Sequence, residues 1–170
     1  FMHLAHYAVH TPIQPHERFM ETYEGSGRIK AQEQYASMIE GVDASLGAVL
    51  DALEEAGELE DTIFVLFSDN GAHNFLAGPP TTNAPLRGGK GTWYEGGVRV
   101  PLVVTWPGEV EPDSVCDVPV VSDDLFPTLL SACGVQRGEE EIDGVDFKPL
   151  LKGAEELERP YDLVWHFPHY

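Results

Sequence analysis

Basic residues are scarce in this chain of 170 residues: only 10, four of them lysine, stand against 29 acids, for a formal charge of −19. A field of that sign repels phosphate unless a local basic patch overrides it, and no such patch is visible, so nucleic acid is not an expected partner. The acidity reads instead as a solvated surface of the kind that salt-adapted proteins carry. Cysteine is equally sparse. Cys116 and Cys133 are too few for a disulfide framework, their spacing fits no zinc pattern, and whether they pair is left open. No apolar run approaches the roughly 18 residues of a membrane span. An initiator Met and a basic-then-apolar leader are missing too; the chain starts on "FMHLAHY" as though in mid-protein, which leads us to expect a piece of a longer one.

What is present suffices for a core: 42% of the residues are hydrophobic and 10% aromatic. Residues 1 to 7 can form a short strand, followed by a proline-bearing loop, "VHTPIQPHERF". From about Ala31 to Ala56, Tyr35, Met38, Ile39, Val42, Leu46, Val49, Leu50 and Leu53 make the stripe of an amphipathic helix, with Gly57 as its stop. Ile63 to Phe67 lacks alternation, as a central strand covered on both faces would. A long helix leading into such a strand follows βαβ grammar. Val98 to Trp106 predicts another strand, with Pro101 placing it near an edge or a bend and not at the sheet centre. "SDDLFPTLLSACG" predicts a helix capped by Ser122 or Asp123 and ended by Gly134, and "YDLVWHF" offers a last strand. The fold class expected is α/β, a mixed sheet flanked by helices.

In open α/β sheets ligands gather at the carboxyl ends of strands. There stand Asp69 and Asn70, in "TIFVLFSDNGAHN": a carboxylate and an amide carbonyl, hard oxygen donors of the kind that Ca²⁺ or Mg²⁺ accepts. Ser-Asp-Asn-Gly can equally be a plain turn. Lys90, within "GGKGTWYEGG", is a candidate anion contact or a surface lysine; the spacing is not that of a Walker loop. His10, directly after the first predicted strand, can hydrogen-bond an anionic oxygen or protonate a leaving group, or be an ordinary polar histidine.

Taken in order, "YAVHTPIQP", "YASMIEGVDASLGAVLDALEEAG", "TIFVLFSDNG", "LRGGKGTWYEGGVRVPLVVTWPG" and "VSDDLFPTLL" closely resemble the sulfatase family of the alkaline-phosphatase-like superfamily. The likeness runs from about residue 1 to 152 and includes "DGVDFKPLLKG". It implies one partial sulfatase catalytic domain over residues 1–170, from an enzyme that cleaves a small-molecule or glycan sulfate ester with an active-site Ca²⁺. By the same resemblance Asp69 and Asn70 would be two of the calcium ligands, Lys90 would bind a sulfate oxygen, and His10 would lie at the same group. His73, four residues beyond Asp69, is a weaker candidate for substrate contact. The closing "VWHFPHY" places His166 and His169 where they could line a sugar or aryl pocket, or simply belong to a frayed end.

The chain departs from the family in its nucleophile. Family sulfatases use a formylglycine made from the Cys or Ser of C/S-x-P/A-x-R. Cys133 to Arg137 has Val135 where Pro or Ala is required, Cys116-Asp-Val-Pro-Val lacks the Arg, and no serine starts a full match. The expectation is that the nucleophile and further Asp ligands lie upstream and that these residues alone do not turn over substrate. A phosphoryl-transfer hydrolase of the same superfamily, or a non-catalytic module that binds Ca²⁺ or sulfated glycan, are the competing readings; the Gly-Gly-Lys-Gly-Thr run argues against the former.

Overall fold

The computed structural model describes residues 1–74, 79–136, 138 and 141–166. Contacts divide the described residues into two compact units, one within 1–60 and 70–101, the other within 61–69 and 102–166. The chain was expected to form one partial domain; each unit is described by itself.

The first unit is built on α1 (Glu17–Tyr23) and α2 (Lys30–Ala56). The expected apolar stripe of α2 is present, with Met38 buried to 4% exposure. Gly57 at φ 72° ends the helix, its N–H donating to the Glu54 carbonyl and that of Glu58 to the Leu53 carbonyl. This is the Schellman arrangement, in which a left-handed residue lets the chain turn back on the last free carbonyls. Fully buried Ser37 joins the helices: its Oγ accepts from the His16 N–H at 3.0 Å and donates to the Gln34 carbonyl at 2.7 Å. Helix α1 falls where the sequence suggested only loop, because two turns are too short to show a repeating stripe. Residues 1–7 form no strand; among the described residues they find no pairing partner, and an unpaired strand leaves its backbone groups unsatisfied.

The second unit holds β1 (Phe64–Phe67) and β2 (Leu102–Thr105), paired antiparallel from Phe64↔Thr105 to Phe67↔Leu102. This corrects the expectation of a central strand in a βαβ crossover. One face of the pair, with register partners Val65 and Val104, meets Leu125, Leu129 and Phe147 around a narrow interior. The other face remains open, with Leu66 37% and Val103 53% exposed. Apolarity on both faces had suggested full burial; the described residues cover one. Strand β2 is shorter than predicted because Val98 belongs to a helical turn, α3 (Glu95–Val98), and Pro101 precedes the first paired residue. Residues 161–166 form no strand.

A short 3₁₀ turn (Ser122–Asp124) leads into α4 (Leu125–Ala132), which ends at Gly134 with φ 67°, as expected. Neither Ser122 nor Asp123 caps it. Asp124, fully buried, ties down the start instead: Oδ2 accepts from the Val121 N–H at 2.8 Å and Oδ1 from the Val145 N–H at 2.9 Å. Arg159 closes the arrangement with two parallel bonds to the same carboxylate, 2.9 Å to Oδ1 and 2.5 Å to Oδ2. Behind it, Thr128 Oγ1 donates to the Asp124 carbonyl and accepts from the Phe147 N–H, fixing α5 (Lys148–Leu151) with its buried Leu150.

Candidate active site

Between β1 and β2 the chain runs from Ser68 to Pro101, and this excursion carries Asp69, Asn70, His73 and Lys90. Asp69 is exposed and Asn70 half-buried directly after the strand. From Asn70 onward the excursion belongs to the first unit, where its two ends are laced together through the backbone. The Gly71 N–H donates to the Gly97 carbonyl at 3.0 Å, and the Lys90 N–H to the Ala72 carbonyl at 3.1 Å. Asn83 stitches the same pair, its amide accepting from the Ala72 N–H and donating to the Ala72 and Gly88 carbonyls at 3.0 to 3.2 Å. A carboxamide carries the donor and acceptor of a peptide group, so Asn83 acts there as one more backbone unit.

The glycines have a role that the sequence did not disclose. A Cβ on Gly71 would lie 1.7 Å from the Gly96 carbonyl oxygen, and one on Gly97 would lie 2.1 Å from that of Thr92. They bring backbone against backbone, an approach that only a residue without a Cβ permits. The turn that presents Lys90 is closed by Thr92: its N–H and hydroxyl both donate to the Gly89 carbonyl, at 3.0 and 2.8 Å. Lys90 is thus fixed at its main chain two residues from where Asn70 emerges. Its Nζ makes no hydrogen bond or ion pair among the described residues, in a chain with 29 acids.

His10 ends the turn Tyr7–His10. Its N–H donates to the Tyr7 carbonyl at 3.0 Å, and its ring lies edge-on to Tyr7 at 6.0 Å. Nδ1 is 2.6 Å from the Thr11 carbonyl, which can only accept, so Nδ1 carries the proton and Nε2 is the nitrogen left for other chemistry. His73 is half-buried in the Asn70 segment. His166 is exposed in the second unit, and His169 lies outside the described residues.

For a hard cation, the carboxylate of Asp69 and the carboxamide oxygen of Asn70 have suitable chemistry, but Ca²⁺ takes six to eight oxygens. No group of three His, Cys, Asp or Glu side chains that could hold a metal is found among the described residues. The pair therefore fits as part of a ligand set and not as the whole of one.

An α/β chain that presents an Asp-Asn pair after a strand, laced by glycines to a lysine turn, is of the class of the sulfatase-type hydrolase domains. The chain belongs to the sulfatase family: the model of that family, described as Sulfatase, matches residues 1–135. It is 35% identical to a sulfatase of Formosa agariphila, over all of this chain and 33% of that protein. To human arylsulfatase A it is 32% identical, over all of this chain and 32% of that protein. The crystal structure of Ps i-CgsB in complex with k-i-k-neocarrahexaose matches with TM-score 0.77 and 33% identity, over 84% of this chain and 31% of that one. These 170 residues thus span about a third of the length of such relatives.

Proposed function

We propose that this chain supplies one part of the active site of a sulfuric ester hydrolase acting on a small-molecule or glycan sulfate ester. The supporting observation is the lysine turn bonded onto the segment of Asn70, with Nζ committed to no carboxylate among the described residues. Lys90 binds a sulfate oxygen. A unit charge about 4 Å from the anion contributes roughly 4 kcal/mol at an effective dielectric of 20, before desolvation is deducted, which offsets the repulsion of the acidic surface. His10, through Nε2, stands to hydrogen-bond or protonate the ester oxygen that departs. Asp69 and Asn70 hold part of the shell of a Ca²⁺ ion, which when bound supplies further positive charge to the sulfate. His73, His166 and His169 are assigned to contact with the organic part of the ester. The formylglycine nucleophile is assigned to residues outside this chain, so the 170 residues bind without turning over.

Titration calorimetry of the 170-residue chain tests this reading. Inorganic sulfate should bind weakly, at millimolar concentration, and Lys90→Ala should weaken it at least tenfold. Ca²⁺ should also bind weakly and lose affinity in Asp69→Ala. Tight Ca²⁺ binding unchanged by that substitution would show that the metal site is elsewhere, and turnover of an aryl sulfate that vanishes in Lys90→Ala would refute the assignment of the nucleophile.

A further inference from the structure

Asn70 and Gly71 form the one step at which an asparagine of this chain precedes glycine; Asn74 and Asn83 precede Phe75 and Ala84. A main-chain nitrogen can attack the side-chain amide of the asparagine before it, and glycine favours that ring closure because no Cβ obstructs the approach. We propose that Asn70 is a deamidation site, held shut by the backbone lacing of the first unit and converted whenever that lacing parts. The chemistry is the chain's own and requires only water, with no sulfate, metal or partner, so it stands apart from the role assigned to Lys90.

The Gly71 nitrogen gives up its proton to solvent and bonds to Asn70 Cγ; the Cγ–Nδ2 bond breaks, and ammonia leaves with a proton taken from solvent, to give a five-membered succinimide. Water then opens the ring at one of its two carbonyls. One opening yields aspartate with the main chain restored, the other isoaspartate with the chain routed through the side chain; nothing is oxidised or reduced. Two features of the fold oppose the first bond. The Gly71 N–H already donates to the Gly97 carbonyl at 3.0 Å, and the next residue is held by Asn83, whose Oδ1 accepts from the Ala72 N–H and whose Nδ2 donates to the Ala72 carbonyl, each at 3.0 Å. Gly71 is also pressed against Gly96, whose carbonyl oxygen lies 1.7 Å from where a Cβ would stand. The nitrogen can lose its proton and swing toward Cγ only after these contacts open locally. The same crowding explains why the site exists: position 71 admits only glycine, the residue that leaves Asn70 most open to attack. Asn70 itself is half-buried, so water reaches it. Either product sets a new carboxylate on the segment to which the Lys90 turn is bonded, and isoaspartate lengthens the main chain there by one carbon. A converted chain therefore cannot restore the register of Gly71 with Gly97.

The test is incubation of the 170-residue chain at neutral pH, native and in guanidinium chloride, with peptide mapping by mass spectrometry for the mass gain of amide-to-acid conversion and enzymatic methylation to count isoaspartate. In denaturant Asn70 should convert faster than Asn74 and Asn83. In the native chain its conversion should be slower by roughly tenfold or more, and hydrogen exchange of the Gly71 amide should be slowed to a similar degree, since both require the same opening. Asn83→Ala removes the clasp on Ala72 and should speed native conversion at Asn70 several-fold, whereas Gly91→Ala, where nothing lies within 4 Å of the new Cβ, should leave it unchanged. The wild-type comparison decides the matter even if Asn83→Ala fails to fold. Conversion at Asn70 as fast in the native chain as in denaturant overturns the proposal. So does slow conversion beside a freely exchanging Gly71 amide, or a folded Asn83→Ala chain that converts at the wild-type rate, because the lacing would then not be what holds the site shut.

Discussion

Arg159→Ala should lower the unfolding free energy of the second unit by about 3 to 5 kcal/mol, the range expected when one partner of a buried ion pair is removed. The reason is what remains. Asp124 is fully buried, and without the guanidinium its carboxylate keeps only the N–H groups of Val121 and Val145. Burial pushes the Asp124 carboxyl up, but the charged bonds from Arg159 with those from Val145 and Val121 outweigh it, leaving the pKa below its ordinary 3.8. A carboxyl depressed in the folded state contributes stability above its unfolded pKa and loses it as pH falls through the folded value. Wild-type urea midpoints should accordingly be insensitive to this group from pH 7 to 5 and fall only below about 4. In Arg159→Ala the burial effect is far less opposed, so protonation of Asp124 favours the folded state. The gap between variant and wild type should therefore narrow on acidification from pH 7 to 5. A gap independent of pH would mean that Arg159 acts through packing alone. Asp124→Asn combined with Arg159→Ala should cost less than the two singly, since the stranded charge is gone.

That ion pair joins residues 35 apart, and no spacing or composition announces it. Local structure was legible where one physical cause repeats: the stripe from Tyr35 to Leu53 predicted α2, and Gly57 and Gly134 marked the ends of their helices. Strand assignments fared less well, because an apolar run does not say how many neighbours it has. Ile63 to Phe67 was read as central and found in a two-stranded antiparallel pair. At the site, the order of His10, Asp69, Asn70 and Lys90 pointed to the family that the comparisons show. The lacing that positions Lys90 was not visible, since Asn83 looks in sequence like any loop asparagine. Nor was the part played by the glycines visible: they admit backbone against backbone, and the position of the Lys90 turn is a consequence of that packing.

Gly71→Ala follows from this and should affect stability and binding together. The added Cβ would stand 1.7 Å from the Gly96 carbonyl oxygen, 2.8 Å from the Gly96 carbonyl carbon and 3.1 Å from Gly97 Cα. All three are main-chain atoms, so no rotamer change relieves the clash and one backbone segment must move away from the other. The hydrogen bond from the Gly71 N–H to the Gly97 carbonyl breaks with that movement, leaving two backbone groups to find new partners. Overpacking and the lost bond together should cost about 3 kcal/mol, at the upper end for a single added methyl. The lysine turn is held to the Asn70 segment by only a few such bonds, among them Lys90 N–H to the Ala72 carbonyl, one residue beyond the substitution. Inorganic sulfate affinity should therefore fall in Gly71→Ala about as far as in Lys90→Ala, although Gly71 has no side chain to offer an anion. By contrast, Gly91→Ala, where nothing lies within 4 Å of the new Cβ, introduces only the strain of a left-handed φ of 80° and should keep the lacing. If Gly71→Ala retained wild-type stability and sulfate affinity while Lys90→Ala lost binding, backbone packing would not be what positions the lysine.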